Sequence, residues 1–396
     1  MIDRSNTYAI IPAGGPGRRT FCYATEEISK QFCPSPPYGE KTFIQETVDR
    51  VSIVGVSPSH IIIVVTNERQ RELVKIQCLS QGIISPNIVI YDPDLGYAGC
   101  MIKASLSIYE ANPNAKIIAC PADQYVAGDI IYPIEDAFFD ADKNGSAVII
   151  GVQINDRITV SGCGNVIYNE NSAGPCYEIT EFIEKPNRER AEELIRQGNS
   201  VVNTGINVWP AKLIASRFDG KDYIGIDTDE FMKMLSGKLK VAVGTFEWYD
   251  CGTLASLYSI SRKSPNHKNV RLGNGKIECN NCRRSLIFAT EGINLRASGA
   301  RDEAIMARSD GERLVVAIVK LSHSQEVKDL ANDFYNNGGA FANDDFLYGT
   351  NNNNVLTSNI PEEDLEVGFL GVTNYAVISY REPNGDITIT VSQQRI

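Results

Sequence analysis

The sequence is poor in the residues that most often carry acid–base and metal chemistry, because only three of its 396 residues are histidine. Histidine-dependent catalysis and histidine-rich metal sites are therefore weak expectations. Ten cysteines in so long a chain are too dilute for a disulfide scaffold. Cys279 and Cys282 form one Cys-x-x-Cys pair without a second pair at zinc-finger spacing, so buried or turn cysteines are a better interpretation than a zinc site.

Long apolar runs and basic residues are also scarce. No run approaches the roughly 20 residues of a membrane-spanning helix, and the N-terminus has no cleavable signal pattern. We therefore expect a soluble cytoplasmic protein that does not bind membranes. With 38 Lys and Arg against 49 Asp and Glu, the formal net charge is −11. This charge disfavours binding to nucleic acid, but it permits a local basic pocket for a phosphorylated small molecule.

The first two-thirds of the chain alternates strand and helix patterns. Residues 7–13, 60–66 and 115–120 read as apolar strands, and amphipathic segments such as 41–51 separate them. Continuous apolar strands between helices are typical of a parallel sheet that is covered on both faces. The pattern becomes more mixed beyond about residue 140. We therefore predict an α/β fold with a Rossmann-like, mostly parallel mixed sheet.

A second, β-rich part is predicted after a polar segment at residues 263–269. We expect a catalytic domain over 1–265 and a β domain over 266–396, which contains short strand-like runs between turn residues. A β-helix-like stack is one shape that this spacing permits. The last two runs, 377–380 and 386–391, are joined through Pro-Asn-Gly and predict a hairpin.

A glycine-rich loop directly after the first predicted strand is the strongest local motif. It reads Ala13-Gly14-Gly15-Pro16-Gly17-Arg18-Arg19. The backbone N–H groups of such a turn can cradle phosphate oxygens, and the arginines can add charge-assisted contacts. The loop lacks the Gly-Lys-Ser/Thr of a P-loop and the third glycine of a dinucleotide fingerprint. On this motif alone, a tight turn with solvated arginines remains an alternative.

Together with the motifs that follow it, the loop resembles that of the sugar-1-phosphate nucleotidylyltransferases, in particular the mannose-1-phosphate guanylyltransferase branch. The family's Ala-Gly-Gly-x-Gly-Thr-Arg-Leu and Pro-Lys-Gln-Phe correspond to 13–20 and 29–32. Further matches, in family order, lie at residues 41–51, 121–124, 182–186, 203–205 and 248–253. The ordered set is specific and covers about residues 7–261. Residues 273–282 and 324–330 more faintly resemble the family's left-handed β-helix.

The resemblance implies transfer of a nucleotidyl group, with GMP from GTP favoured, to a sugar or cyclitol 1-phosphate, giving a nucleotide-sugar and pyrophosphate. It also implies the glycosyltransferase-A-like, nucleotidyltransferase form of the predicted sheet. The residues it assigns to the nucleotide are Ala13, Gly14, Gly15, Gly17 and Arg19, and it makes Arg19 and Lys30 catalytic. Arg18 replaces the family's threonine and would add a further phosphate contact. Arg19 would hold the β- and γ-phosphates, and Lys30 would neutralise the α-phosphate. Because the attacking phosphate oxygen is already an anion, the reaction needs positioning and charge neutralisation rather than a strong base. The scarcity of histidine is compatible with that chemistry.

Two aspartates are the candidate metal ligands. The resemblance implies that Asp123 and Asp250, each after a predicted strand, bind Mg²⁺ and are catalytic. Two carboxylates completed by phosphate and water oxygens suit this ion. Considered singly, each aspartate could be a helix cap or a turn residue.

The resemblance also assigns the acceptor site. It implies that Lys185 contacts the sugar phosphate, that Glu184 and Asn203 hydrogen-bond sugar hydroxyls, and that Gly164 lies over the sugar. A surface ion pair at 184–185 and a plain turn at Gly164 are the alternatives.

The chain departs from the family where substrate choice is set. Residues 21–25 and 95–100 differ from the family segments, and Gln124 replaces a histidine. The acceptor is thus open between mannose 1-phosphate and an unusual sugar or cyclitol phosphate. Two other interpretations stay open: a nucleotidyltransferase for another phosphorylated or phosphonate acceptor, and a non-catalytic regulatory relative that binds nucleotide-sugar. We also expect a homo-oligomer, with self-association as one role for the β domain.

Overall fold

The computed structural model describes residues 4–37, 39–154, 162–309, 313–323, 326–337, 354–358, 360, 365–370, 372 and 374–393. The chain divides into two compact units, residues 1–15 with 43–250 and residues 16–42 with 251–396. We call them unit 1 and unit 2. The domain boundary near 265 stays a prediction. The chain passes from one compact unit to the other after residues 15, 42 and 250.

Unit 1 alternates strands and helices. Its strands are β1 (Thr7–Pro12), β2 (Ile61–Val65), β3 (Ile88–Ile90), β4 (Lys116–Ala119), β5 (Gln124–Ala127), β6 (Ala147–Gln153), β7 (Gly164–Tyr168), β8 (Tyr177–Glu184), β9 (Ser200–Pro210), β10 (Leu239–Gly244) and β11 (Glu247–Asp250). Its helices are α1 (Phe43–Ile53), α2 (Glu68–Cys78), α3 (Gly96–Ala111), α4 (Ile131–Asn144), α5 (Arg188–Gln197), α6 (Ala211–Phe218) and α7 (Thr228–Met234).

The main sheet of unit 1 has the strand order β3-β2-β1-β4-β9-β6-β10-β8-β7. Strands β3, β2, β1 and β4 pair in parallel, as their continuous apolar sequences predict. Strand β9 then runs antiparallel to both β4 and β6. The expected α/β fold with a mixed sheet is confirmed, but antiparallel pairings make up a larger part of the sheet than predicted, because β9 enters its centre in the reverse direction.

Helix starts follow local capping chemistry. The Asn67 side chain accepts a hydrogen bond from the Gln70 N–H at 2.9 Å and begins α2. Asn187 does the same for the Arg190 N–H at the start of α5. An asparagine at this position satisfies a backbone donor that has no partner within the helix. In the described part of the chain, no helix is both long enough and apolar enough to cross a membrane.

Unit 2 is rich in strands. Its elements are α8 (Leu254–Ile260), β12 (Val270–Leu272), β13 (Lys276–Asn280), β14 (Leu286–Ala289), β15 (Ile293–Ser298), β16 (Glu303–Ser309), β17 (Leu314–Lys320), α9 (Val327–Asn336), β18 (Val355–Ser358), β19 (Leu365–Leu370), β20 (Tyr375–Arg381) and β21 (Ile387–Gln393). The strands form two five-stranded sheets, with the orders β12-β14-β16-β17-β19 and β13-β15-β21-β20-β18.

The β domain expected at the C-terminus is confirmed. Successive strands from β12 to β16 alternate between the two sheets, and neighbours within each sheet are parallel, which is the arrangement of stacked coils. Antiparallel pairing of β16 with β17 and of β20 with β21 ends this regularity, and the second pair is the predicted C-terminal hairpin. A left-handed β-helix stays a prediction.

One segment differs from its expected conformation. Residues 327–330, which resemble a β-helix segment, instead begin α9, and residues 324 and 325 lie outside the described residues. Val327, Leu330, Ala331 and Phe334 are buried. Their spacing of three and four residues is that of one helix face, so burial of this face favours the helix.

Candidate active site

The first half of the glycine-rich loop is fixed within unit 1. Ala13 N–H donates to the Val64 carbonyl at 2.7 Å, and the Gly14 carbonyl accepts from Thr66 Oγ1 at 3.2 Å and Gln70 Nε2 at 3.3 Å. A Cβ on Gly14 would lie 2.5 Å from the Thr66 methyl carbon, whereas one on Gly15 would meet no atom within 4 Å. Glycine is thus required at 14 by close packing, whereas the position of a Cβ at 15 lies in open space.

The second half of the loop belongs to unit 2. Gly17 has φ of 66°, in the left-handed region that favours glycine, and a Cβ there would lie 3.0 Å from Lys30 Cβ. Lys30 is buried in a short 3₁₀ turn, while Arg19 is exposed. The predicted nucleotide residues Gly17 and Lys30 are therefore neighbours.

A buried arginine holds the segment after the loop. Arg308 Nε donates to the Cys22 carbonyl at 3.0 Å, and its Nη2 donates to the Tyr23 carbonyl. The guanidinium carbon also lies 5.3 Å from the centre of the Phe288 ring. Although residues 21–25 depart from the family pattern, they form a well-packed part of unit 2, and Arg308 was not among the predicted site residues.

The two predicted metal ligands are neighbours in unit 1. Strands β5 and β11 form a separate antiparallel ladder in which Asp250 is opposite Gln124. Asp123 immediately precedes Gln124, so the two aspartates are one residue apart across this ladder. Asp250 is exposed and Asp123 is half-buried. No group of three or more His, Cys, Asp or Glu able to hold a metal occurs among the described residues.

Gln124, which stands where the family has histidine, connects this ladder to the main sheet. Its Oε1 accepts a hydrogen bond from the Trp248 indole N–H at 3.0 Å. Its Nε2 donates to the Thr204 carbonyl at 2.5 Å. The side chain is buried, and both ends of its amide are used, so the amide fixes the start of β5 against β9.

Tyr97 continues this network toward the acceptor residues. Its hydroxyl donates to the Gly205 carbonyl at 3.3 Å, and the Gly205 N–H donates to Asn203 Oδ1 at 2.8 Å. Burial, then the nearby Cys120 and Asp123, raise the pKa of Tyr97. The hydroxyl therefore stays protonated and able to donate. The structure thus links Tyr97 to the predicted acceptor residue Asn203 through the Gly205 backbone.

Three of the predicted acceptor residues converge in unit 1. Gly164 and Glu184 are opposite each other in the β7–β8 ladder. A Cβ on Gly164 would lie 2.8 Å from Glu184 Oε2 and 3.5 Å from Asn203 Nδ2. The absence of a side chain at 164 thus lets a carboxylate and an amide, two groups that can bind hydroxyls, approach this backbone closely.

Lys185 has an unusual backbone and an exposed side chain. Its φ is 45°, which costs free energy for a residue with a Cβ. Its N–H donates to the Cys163 carbonyl at 3.2 Å, and its Nζ lies 3.1 Å from Glu184 Oε1. The ion pair that the sequence offered as an alternative is therefore present. The Lys185 side chain is 65% exposed, which leaves it accessible to a ligand.

None of the ten cysteines, all within the described residues, forms a disulfide. Cys282 is buried, and its thiol donates to the Ala297 carbonyl at 3.4 Å. A hydrogen bond from Cys282, then Arg271, lowers the pKa of Cys279 to about 7 against the opposing effect of burial. The Cys-x-x-Cys pair is thus a pair of interacting thiols at the edge of a sheet.

Comparison with known proteins agrees with the ordered motifs. The family model for nucleotidyl transferase matches residues 8–267. The mannose-1-phosphate guanylyltransferases of Klebsiella pneumoniae and Escherichia coli are each 25% identical over 355 residues, covering 81% of this chain and 72% of the relative. A solved structure described as mannose-1-phosphate geranyltransferase from Thermus thermophilus has a TM-score of 0.67 at 22% identity, covering 83% of this chain and 99% of that chain. This last likeness shows the fold.

Proposed function

Because the chain belongs to the nucleotidyl transferase family, we propose that it transfers GMP from GTP to a sugar or cyclitol 1-phosphate. An oxygen of the acceptor phosphate attacks the α-phosphorus, and the bond to the β-phosphate oxygen breaks. Pyrophosphate leaves with the electron pair of that bond. No proton has to be removed from the acceptor, so the side chains act mainly by neutralising and orienting phosphates.

The observation that carries the proposal is a set of polar groups in unit 1. Glu184 and Asn203 both lie close to Gly164. Asn203 accepts from the Gly205 N–H, the Gly205 carbonyl accepts from Tyr97, and the charge of Asp123 acts on the Tyr97 hydroxyl. Groups suited to sugar hydroxyls are thereby connected to groups suited to a metal–phosphate complex. Reactions between two phosphorylated substrates need this proximity of the two binding regions.

The residues of the β5–β11 ladder fit Mg²⁺. Asp123 and Asp250 supply oxygen ligands only, and two carboxylates leave most of the coordination shell to phosphate and water oxygens, as this ion prefers. When bound, Mg²⁺ would reduce the repulsion between the triphosphate and the anionic acceptor. Asp123 and Asp250 would hold the ion, while Gln124 keeps their two strands in register.

The remaining charged residues would bind phosphates. Lys185 supplies an exposed ammonium group next to Glu184 for the acceptor phosphate. Arg19 and Lys30 would bind the nucleotide phosphates, as the family resemblance implies. The backbone of Gly15, which has open space beside it, would approach the triphosphate closely.

The test is a measurement of pyrophosphate release with ATP, GTP, CTP and UTP against a panel of sugar and cyclitol 1-phosphates. We expect GTP to give the highest kcat/KM, and the preferred acceptor then identifies the pathway. Highest activity with another nucleotide would overturn the guanine assignment. Highest activity with mannose 1-phosphate would contradict the hypothesis that the acceptor is an unusual sugar or cyclitol phosphate.

A regulatory, non-catalytic relative is the alternative from another class. It would bind nucleotide-sugar but release no pyrophosphate with any pair of substrates. Retention of both Asp123 and Asp250 favours the enzyme. A phosphonate acceptor is tested by including phosphonate analogues in the same panel.

A further inference from the structure

Arg18 of the glycine-rich loop is held from two directions within unit 2. Its Nη1 donates to Asn332 Oδ1 at 2.7 Å, and its Nη2 donates to Glu26 Oε1 at 2.5 Å. The ring centre of Tyr335 lies 5.9 Å from the guanidinium carbon. Arg18 Nε is buried without a hydrogen-bond partner among the described residues. The guanidinium therefore has a defined orientation, and its buried Nε–H is an unused donor.

Asn332 and Tyr335 belong to α9, which packs firmly beside the loop. Phe334 lies 5.2 Å from Phe21 between ring centres, and Tyr335 meets the same ring edge-on at 5.7 Å. The Tyr335 hydroxyl also accepts a hydrogen bond from the Glu26 N–H at 2.8 Å. Such aromatic packing fixes the helix relative to the residues that follow Arg18.

The two partners of Arg18 differ in chemistry. Asn332 is a neutral acceptor, so it orients the guanidinium without cancelling its charge. Glu26 is an anion, but its side chain is 41% exposed, and ion pairs at such exposure are weak. A triphosphate carries more negative charge than one carboxylate and can replace Glu26, whereas Asn332 and Tyr335 can stay in place.

We propose that α9 is a positioning element for the nucleotide phosphates, acting through Asn332 and Tyr335 on Arg18. This inference rests on the proposed function, in which the glycine-rich loop binds a nucleoside triphosphate. Arg18 stands where the family motif given above has threonine. The C-terminal part of the sequence then contributes to nucleotide affinity without contacting the nucleotide.

The test compares the Asn332→Ala and Arg18→Ala variants, singly and together, by the affinity of the full chain for inorganic tripolyphosphate and by KM and kcat with GTP. Loss of one hydrogen bond that only orients Arg18, without itself contacting the phosphates, is expected to weaken tripolyphosphate binding and raise KM for GTP roughly 3- to 10-fold. We expect kcat to change less than about twofold, because the reacting atoms are untouched. In the Arg18→Ala background, Asn332→Ala should have no further effect on either affinity, because the guanidinium that Asn332 orients is already absent.

The matched control is Asn336→Ala, the same change at an exposed position of the same helix. This substitution should leave the affinity for tripolyphosphate and the KM for GTP unchanged. Alanine favours helix, and thermal unfolding shows whether each variant is folded. Tyr335→Leu is a second variant, which removes the ring beside Arg18. Like Asn332→Ala, it should weaken tripolyphosphate binding and raise KM for GTP.

Three results would overturn the proposal: unchanged affinities in folded Asn332→Ala and Tyr335→Leu proteins, an Asn332→Ala effect of equal size with and without Arg18, or no binding of tripolyphosphate to the unsubstituted protein. If tripolyphosphate binds and its affinity falls as expected, but no nucleotide is turned over, the proposed enzyme activity fails while the role of α9 holds. The two proposals can thus be separated.

Discussion

Asp250 is opposite Gln124 in a two-stranded ladder, and this pairing places it one residue from Asp123 across the strands. Two aspartates that are 127 positions apart in the sequence thus become neighbours. The buried amide of Gln124 reinforces the arrangement through its bonds to Trp248 and to the Thr204 carbonyl. The ladder is therefore the structural basis for the proposed metal site.

The first prediction concerns Asp250. Asp250→Asn keeps the shape of the side chain but removes a charge, so we expect pyrophosphate release to fall at least about 100-fold, corresponding to several kcal/mol of lost charge stabilisation. Glu247→Gln on the same strand is the control, since Glu247 is also exposed and should retain near-normal turnover. Normal kcat in the Asp250→Asn protein at saturating Mg²⁺ would contradict the assigned role.

The second prediction compares two adjacent glycines. Gly14→Ala would place a Cβ 2.5 Å from Thr66 Cγ2, whereas Gly15→Ala places its Cβ in open space. We expect Gly14→Ala to lower the free energy of unfolding by about 1–3 kcal/mol and Gly15→Ala to change it by less than about 1 kcal/mol, as measured by urea denaturation.

A double variant tests the cause of that difference. Thr66→Ser removes the clashing methyl group but keeps a hydroxyl for the Gly14 carbonyl. It should therefore restore much of the stability that Gly14→Ala loses. Equal stability of the two alanine variants would show that the loop is not packed against Thr66.

The third prediction concerns the acceptor pocket. In Gly164→Ala, the new Cβ would lie 2.8 Å from Glu184 Oε2, so the carboxylate must move. We expect KM for the sugar phosphate to rise roughly tenfold, since a displaced hydrogen bond to a charged group costs about 1.5–3 kcal/mol. KM for the nucleotide should remain unchanged and serves as the internal control. A change in the KM for the nucleotide, with no change in the KM for the sugar phosphate, would contradict the assignment of Gly164 to the acceptor site.

The fourth prediction concerns Arg308. Arg308→Met leaves the buried carbonyls of Cys22 and Tyr23 without their donors, and each unsatisfied group costs about 1–3 kcal/mol. We expect a clear fall in the free energy of unfolding, measured with urea. Arg296→Met is the control, because its ion pair with Glu278 is exposed and is worth at most about 1 kcal/mol. Equal effects of the two substitutions would contradict the anchoring role.

The fifth prediction concerns cysteine reactivity. The pKa of Cys279 is lowered to about 7, while burial raises the pKa of others such as Cys22 and Cys78 to about 12. The thiolate is the reactive form, so alkylation of Cys279 by iodoacetamide should increase as the pH rises through about 7. Peptide mass spectrometry should find Cys279 modified well before the buried thiols, and Cys282→Ala should shift this pH dependence upward. Preferential labelling of Cys22 or Cys78 would contradict the prediction.

Local sequence was sufficient for many elements of the fold. The apolar residues of β2 are a signal confined to a few neighbours, and this strand (Ile61–Val65) begins and ends close to its predicted bounds of 60–66. The glycines of the loop and the order of the family motifs were equally visible, because each depends on short spacing. The same reasoning did not predict that β9 runs antiparallel to its two neighbours at the centre of the sheet. The direction of a strand depends on the path that the chain takes between strands.

The sequence by itself determined the family, the acidic charge that disfavours nucleic acid, and the residue types available for phosphates and a metal. Only the tertiary structure decided that Gln124 joins β5 to β9 and that Tyr97 donates to the Gly205 carbonyl. It also decided that residues 16–42 pack with the C-terminal unit, where Arg308 and α9 hold them. These contacts join groups that are tens to hundreds of positions apart, such as Arg18 and Asn332. Hydrophobic periodicity and turn propensity act over a few residues, so such pairings become visible only when the folded chain brings distant side chains together.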